Sequence, residues 1–243
     1  MPNPYFRFKQ FSVSQDRSAM KVTTDACLFG AWVAGYLRSH GTEFYGKNIL
    51  DIGTGTGLLS LMLAQAVPNR IDAVELDTDT SKQATENFSA SPWSSRLRAI
   101  CVDARHYVPT HPYGVIISNP PFYEREIESD NPKRNLAHHS HQLSFRELLD
   151  TVNRLLHAEG CCFLLIPAKR RSELVPLIKA SGFSIWQEVR VKPTAQASIF
   201  RVMLAIDRKK HERLPDMEWS ITDETGQYTS PFSSLLSEYY LYL

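Results

Sequence analysis

The segment Ser118-Asn119-Pro120-Pro121-Phe122 follows the apolar run Gly114-Val115-Ile116-Ile117. That places it at the carboxyl end of a buried strand, where open α/β sheets carry their chemistry. The two prolines each fix their own φ and restrict the residue before them, so the Asn119 side-chain oxygen and the neighbouring backbone carbonyls form a stiff row of acceptors. Such a row suits a planar NH2 group, and the flat apolar face of Phe122 suits a ring that carries one. The residues read as a site that methylates an amine, with Asn119, Pro120 and Phe122 as its catalytic set.

A donor site is expected upstream, in Asn48-Ile49-Leu50-Asp51-Ile52-Gly53-Thr54-Gly55-Thr56-Gly57-Leu58. Here a short apolar strand enters a glycine-rich turn and leaves as an apolar helix, stopped by Pro68 and Asn69. Gly53, Gly55 and Gly57 remove the Cβ atoms that would hold a ligand off the backbone, and they permit positive φ. The dinucleotide fingerprint G-x-G-x-x-G needs glycine or alanine at its sixth position. Leu58 stands there instead, which argues against a pyrophosphate and for a nucleoside without phosphates, as in S-adenosylmethionine. Glu75 closes the run Ile71-Asp72-Ala73-Val74-Glu75 and is placed to accept from both ribose hydroxyls. Asp103, after Arg98 to Val102, is placed to accept from the cofactor's adenine amine. Asp51, Glu75 and Asp103 thus end three successive strands.

Leu50-Asp51-Ile52-Gly53-x-Gly55-x-Gly57, then Glu75, Asp103-Ala104 and Asn119-Pro120-Pro121-Phe122, occur in the order found in Rossmann-like S-adenosylmethionine-dependent methyltransferases that act on exocyclic or amide nitrogens, which this chain resembles. Met20-Lys21-Val22-Thr23-Thr24-Asp25-Ala26-Cys27-Leu28-Phe29-Gly30-Ala31-Trp32 narrows the resemblance to the bacterial tRNA1(Val) (adenine(37)-N6)-methyltransferase family. Phe8-Lys9-Gln10-Phe11 and the closing Tyr228-Thr229 to Tyr239-Tyr240-Leu241 are similar to that family too. The resemblance implies a seven-stranded sheet with its last strand reversed, and S-adenosyl-L-methionine as cofactor. It further implies that Thr24 and Asp25 border the methionine end, that Ala104 joins Asp103 in the cofactor site, and that Lys21, Pro121, Phe122 and Tyr123 meet a tRNA. Methylation of a protein glutamine, or of guanine N2 in ribosomal RNA, is the nearest alternative, since all three substrates present a planar NH2. A nicotinamide-dependent oxidoreductase, disfavoured by Leu58, and a non-catalytic RNA-binding module are the readings from other classes.

The elements that must position these residues alternate along the chain, which predicts a doubly wound α/β fold. Strands are expected at 47–52, 71–75, 97–102, 114–118 and 161–166, with helices at 58–67 and about 78–90. Ser144-Phe145-Arg146-Glu147 makes a capping box, with Leu143 and Leu148 at staple spacing, and opens a helix to about His157. A helix ending near Ser181 and Gly182 contains Pro176, which is expected to kink it or delay its start. Segments 183–191 and 198–207 are too close for a helical crossover and are expected to pair antiparallel. The stretch 123–142 shows no element and is expected to close over substrate. Its histidines His138, His139 and His141 lack an accompanying carboxylate or cysteine at ligand spacing, so no metal is expected.

With 243 residues and 43% hydrophobic content, one compact domain is expected, with a bordering segment 1–45, a core 46–207 and an extension 208–243. The longest apolar run, Cys161 to Ala168, is too short to span a bilayer, and no signal-peptide pattern opens the chain, so a cytosolic protein is expected; a monomer is the expected oligomeric state. Cys27, Cys101, Cys161 and Cys162 read as small core residues. Net charge is +1, but Arg190, Lys192, Arg201, Arg208, Lys209, Lys210 and Arg213 crowd the late strands, whereas the last 30 residues hold no Lys or Arg. A basic face set against an acidic one is the expected arrangement, suited to steering a polyanion.

Overall fold

The computed structural model describes residues 3–18, 20–44, 46–120, 143–208 and 212–243. A hairpin of β1 (Tyr5–Arg7) and β2 (Ser12–Ser14) precedes a sheet of β3 (Ile49–Ile52), β4 (Ile71–Glu75), β5 (Leu97–Cys101), β6 (Tyr113–Ser118), β7 (Leu156–Pro167), β8 (Ser184–Thr194), β9 (Arg201–Asp207) and β10 (Met217–Thr222). The helices are α1 (Thr24–Ser39), α2 (Gly41–Phe44), α3 (Leu58–Ala66), α4 (Thr78–Ser89), α5 (Phe145–Leu155), α6 (Arg171–Ala180) and α7 (Ser230–Leu236). The sheet runs β10-β8-β9-β7-β6-β3-β4-β5. Among the described strands of this sheet only β9 is reversed, antiparallel to both β7 and β8, as the short link between the last two expected strands requires. Strand order turns back between β3 and β6, the position at which doubly wound sheets open a crevice for ligands.

Seven strands were expected and the sheet has eight. The extra strand, β10, comes from the extension and pairs parallel to β8. Its residues Met-Glu-Trp-Ser-Ile-Thr are exposed or half-buried, so it lacks the continuous apolar run that marks the inner strands. Helix α1 was not assigned from sequence either. It is buried nearly all round, from Asp25 to Ala34 and again at Leu37, so it shows no polar face to reveal a helical period. Gly30 lets α3 come close: a Cβ there would lie 2.7 Å from the Met62 sulfur. Two smaller differences concern ends. Helix α5 gives way to β7 at Leu156, and α6 accommodates Pro176 in its interior.

Side chains alternate across the sheet. Val115, Ile117, Phe163, Leu165, Met203 and Ala205 join one core with residues of α1, α3 and α4. Ile116, Cys162, Leu164, Val202, Leu204 and Ile206 join a second with α5 and α6. The capping box at α5 is complete, with the Ser144 hydroxyl accepting from the Glu147 N–H at 3.2 Å and the Glu147 carboxylate accepting from the Ser144 N–H at 2.8 Å. Cys27, Cys161 and Cys162 are buried, but Cys101, at the end of β5, is exposed.

The two segments that carry the outer parts of the family resemblance meet. Phe8 stacks on Phe11 with ring centroids 4.5 Å apart, the Lys9 N–H donates to the Tyr239 carbonyl at 2.8 Å, and Tyr240 packs against Phe6 and Phe8. The Tyr239 hydroxyl donates to the Met62 carbonyl at 3.1 Å. Charges segregate along the chain but not in space. Asp216 pairs with Arg190 and Arg213, and Glu218 pairs with Lys192, so the acidic tail neutralises the basic strands it was expected to oppose. Among the described residues no helix is long and apolar enough to cross a membrane.

Candidate functional site

Register brings the chemistry-bearing residues to one edge. Ile52 pairs with Ser118 on one side and Val74 on the other, and Glu75 pairs with Cys101. One residue further, at the carboxyl ends of β6 and β3, come Asn119 and Gly53; Glu75 ends β4, and Asp103 follows two residues after β5. Asp51, Glu75 and Asn119 share the alternation phase of Ile49, Ala73 and Ile117, which belong to the core on the α1 and α3 side. Asp51 and Glu75 thus face the same layer, and Asn119 continues β6 at the same edge.

The turn after β3 is left-handed at Gly53, Gly55 and Gly57, with φ of 71°, 58° and 84°. A Cβ on Gly53 or Gly55 would meet nothing within 4 Å, whereas one on Gly57 would lie 2.5 Å from the Phe88 ring. The first two glycines therefore border open space, and the third is needed for packing against α4. Glu75 is held by its own turn: Oε2 accepts from the Gly55 N–H at 3.0 Å and Oε1 from the Asp77 N–H at 3.0 Å. A carboxylate has about four lone-pair positions, so two remain for ribose hydroxyls. Asn87 of α4 donates to the Thr56 carbonyl and to the Ser14 carbonyl of β2, tying the turn to the N-terminal hairpin.

Asp51 is fully buried. The Thr54 and Ser60 hydroxyls both donate to its Oδ2, at 2.6 and 2.8 Å, and Oδ1 has no partner among the described residues. Burial pushes its carboxyl up to about 6, against the lowering effect of those two hydroxyls. A buried oxygen without a partner, beside glycines that leave their Cβ positions open, fits a cofactor that combines a nucleoside with a polar, cationic arm. Thr54 and Ser60 were not singled out from sequence, although their spacing of three and nine residues from Asp51 around a strand–turn–helix is a readable signal.

The remaining expected positions carry ties that sequence did not show. Asp103 is occupied by Arg105, which donates from its backbone N–H at 2.9 Å, from Nε to both oxygens at 3.0 Å and from Nη2 at 2.6 Å. That guanidinium holds the Asp103 carboxyl below the usual range, and its Nη1 reaches Glu147 of α5 at 2.9 Å. Accepting from an adenine amine would require Asp103 to share those lone pairs. Ala104 lies on the same turn, its carbonyl accepting from Arg154 at 3.0 Å. Asp25, in the first turn of α1 after Thr24, accepts at Oδ2 from Arg201 Nε at 2.7 Å. Lys21 turns its ammonium to the Gln15 and Ser18 carbonyls, which makes it a brace of the N-terminal segment. Asn119 is partly exposed and Pro120 buried; the Asn119 amide makes no hydrogen bond to another described residue, while neighbouring Ser118 donates to the Ile52 carbonyl at 2.7 Å. Pro121, Phe122, Tyr123 and the stretch 123–142 with its histidines lie outside the described residues. Among the described residues no group of His, Cys, Asp and Glu could hold a metal.

The family model described as Methyltransferase small domain matches residues 36–154. A tRNA1(Val) (adenine(37)-N6)-methyltransferase of Phocaeicola vulgatus is 37% identical over 243 residues, covering 99% of either chain. One of the same name from Tolumonas auensis is 40% identical over 239 residues, covering 97% of this chain and 96% of its own. Among solved structures, a predicted O-methyltransferase of Agrobacterium tumefaciens matches with a TM-score of 0.67 at 14% identity, covering 88% of this chain and 95% of its own, a likeness of fold.

Proposed function

The chain belongs to the tRNA1(Val) (adenine(37)-N6)-methyltransferase family, and on that premise we propose that it transfers a methyl group from S-adenosyl-L-methionine to N6 of the adenine beside the anticodon of tRNA1(Val), acting as a single-domain monomer in the cytoplasm without a metal. The observation that carries this reading is the edge at which Asn119 follows Ser118 beside the glycine turn after Ile52. The bound cofactor supplies an electrophilic methyl on a sulfonium. Asp51, Gly53, Gly55, Gly57, Glu75, the Asp103-Ala104 turn and Asn119 would hold it, with Thr24 and Asp25 bordering its methionine end.

Asn119 Oδ1 and the Pro120 carbonyl accept the two N–H groups of the adenine amine. An aromatic amine is a poor nucleophile because its lone pair is delocalised into the ring. Acceptors aimed at both N–H groups favour a pyramidal nitrogen and stabilise the positive charge that grows on it. No strong general base is required, because the methylated ammonium loses its proton readily. Holding amine and methyl in line supplies much of the remaining acceleration. Phe122, with Tyr123, stacks on a base already partly unstacked in an anticodon loop. The relatives' names favour adenine over a protein glutamine or guanine N2.

The test is incubation of the purified protein with methyl-labelled cofactor and either total tRNA or ribosomal fractions, followed by mass spectrometry of the nucleosides. N6-methyladenosine in one valine tRNA is the expected product. Label confined to ribosomal RNA or protein would reject the assignment.

A further inference from the structure

We infer that Arg201 is a phosphate anchor for the RNA, built into the substrate flank of the site and aimed by Asp25. This rests on the methyltransferase reading and adds a residue to its substrate side. Arg201 is the first residue of the reversed strand β9 and pairs with Pro167, the last residue of β7. Reversal of β9 therefore delivers the beginning of a strand to the edge where every parallel strand ends. The edge runs β4, β3, β6, β7, β9, so Arg201 stands two strands across from Asn119 and two residues further along by register, about 12 Å at the usual spacings. Glu75 and the glycine turn stand on the other side of Asn119. Arg201 also keeps the alternation phase of Met203 and Ala205, which share a core with Ile117, two residues before Asn119.

Its guanidinium is oriented but not consumed. Nε donates to Asp25 Oδ2 at 2.7 Å, with the Asp25 side chain 10% exposed and that of Arg201 35% exposed, and the guanidinium lies 5.5 Å from the Phe200 ring centre. The two terminal nitrogens donate to no described residue. The other arginines of this flank are closed into ion pairs: Arg170 grips Glu173 through two nitrogens, Arg171 grips Glu188 in the same way, and Arg190 bridges Glu188 and Asp216. A planar fork with two N–H edges open among the described residues, steadied from behind by a carboxylate, matches an oxyanion. Asp25 also borders the expected methionine end, so the methionine carboxylate is the competing oxyanion; the place of Arg201 beyond β7, on the side of Asn119 opposite Glu75 and the glycine turn, favours a backbone phosphate of the RNA whose base enters beside Asn119.

The experiment compares wild type, Arg201→Met and Arg201→Lys. It reads KM for tRNA, the slope of log(kcat/KM) against log salt, and the cofactor dissociation constant measured by calorimetry without RNA. Arg201→Met should raise KM for tRNA and flatten the salt slope by about one unit, the signature of one lost phosphate contact. Arg201→Lys should keep most of the slope, because a cation remains, yet raise KM, because the fork is lost. An unchanged slope with weakened cofactor binding would give Arg201 to the methionine carboxylate and overturn the inference, as would a Lys variant with wild-type KM. Should Arg201→Met fail to fold, the Lys variant decides alone. If wild type methylates no tRNA, the functional reading fails separately, and direct RNA-binding titrations at varied salt still test the anchor.

Discussion

At the scale of single residues, Asn119 and Asp51 make opposite demands on their surroundings. On the proposed function Asn119 keeps its amide free for a substrate amine, and it is partly exposed with no side-chain partner among the described residues. Replacing it with Ala should lower kcat by about 10²-fold or more, by analogy with the loss of one preorganised group at a developing charge. Binding of S-adenosylhomocysteine, followed by calorimetry, should largely persist; turnover near that of wild type would sink the assignment. Asp51 is fully buried, and its carboxyl rises from 3.8 to about 6. The folded chain therefore holds that proton more tightly than the unfolded chain. Stability supplied by protonated Asp51 is complete below 3.8 and is lost as pH climbs through about 6. In melting curves of the ligand-free protein taken from about pH 4 to pH 7, Asp51→Asn should flatten this part of the dependence relative to wild type. Parallel curves would show that the carboxyl titrates normally. Asp51, Glu75 and Asn119 were legible as strand-end residues of chemically suitable type. Arg105 and Arg201 were not: one makes its contact across 42 residues to Glu147, and the other across 176 residues to Asp25, and nothing local in a sequence records such a meeting.

At the scale of elements, the glycine turn separates two uses of one residue type. Gly57 combines a φ of 84° with a Cβ position 2.5 Å from Phe88, whereas Gly55 has a φ of 58° and open space. Gly57→Ala should cost about 2–5 kcal/mol, joining left-handed strain to overpacking, and Gly55→Ala about 1–2 kcal/mol from strain alone. Urea denaturation with unchanged m-values would measure the difference; equal costs would mean that the Phe88 contact relaxes freely. Inner strands β3, β4, β6 and β7 were readable because they are short apolar runs bounded by turn residues. Helix α5 was readable because its cap is chemically explicit. Helix α1 and strand β10 escaped for contrary reasons, since the helix has almost no wet face and the strand has almost no dry one. Each takes its place from partners distant in sequence, through Gly30 against Met62 for the helix and through pairing with β8 for the strand.

At the scale of the whole molecule, the tail after β10 closes over α1 and the N-terminal hairpin. Tyr239 is 1% exposed and donates to the Met62 carbonyl of α3, while the Arg38–Glu238 pair lies half in solvent. Tyr239→Ala should therefore cost about 3–5 kcal/mol, as for other large buried aromatics. Arg38→Ala should cost under about 1 kcal/mol, as exposed ion pairs do. Chemical denaturation of the two variants checks the ranking, and a larger loss from Arg38→Ala would reverse this account of the tail. The sheet order carries a consequence of its own. The glycine turn, Glu75 and Asp103 lie at the ends of β3, β4 and β5 on one side of Asn119, whereas β7, β8 and β9 lie on its other side, joined to the first set through α1 by the Asp25–Arg201 pair. On the function proposed above, mutational drift at the far strands would retune which polynucleotide is accepted while the donor's berth is inherited largely unaltered, so a lineage could change clients without relearning its chemistry.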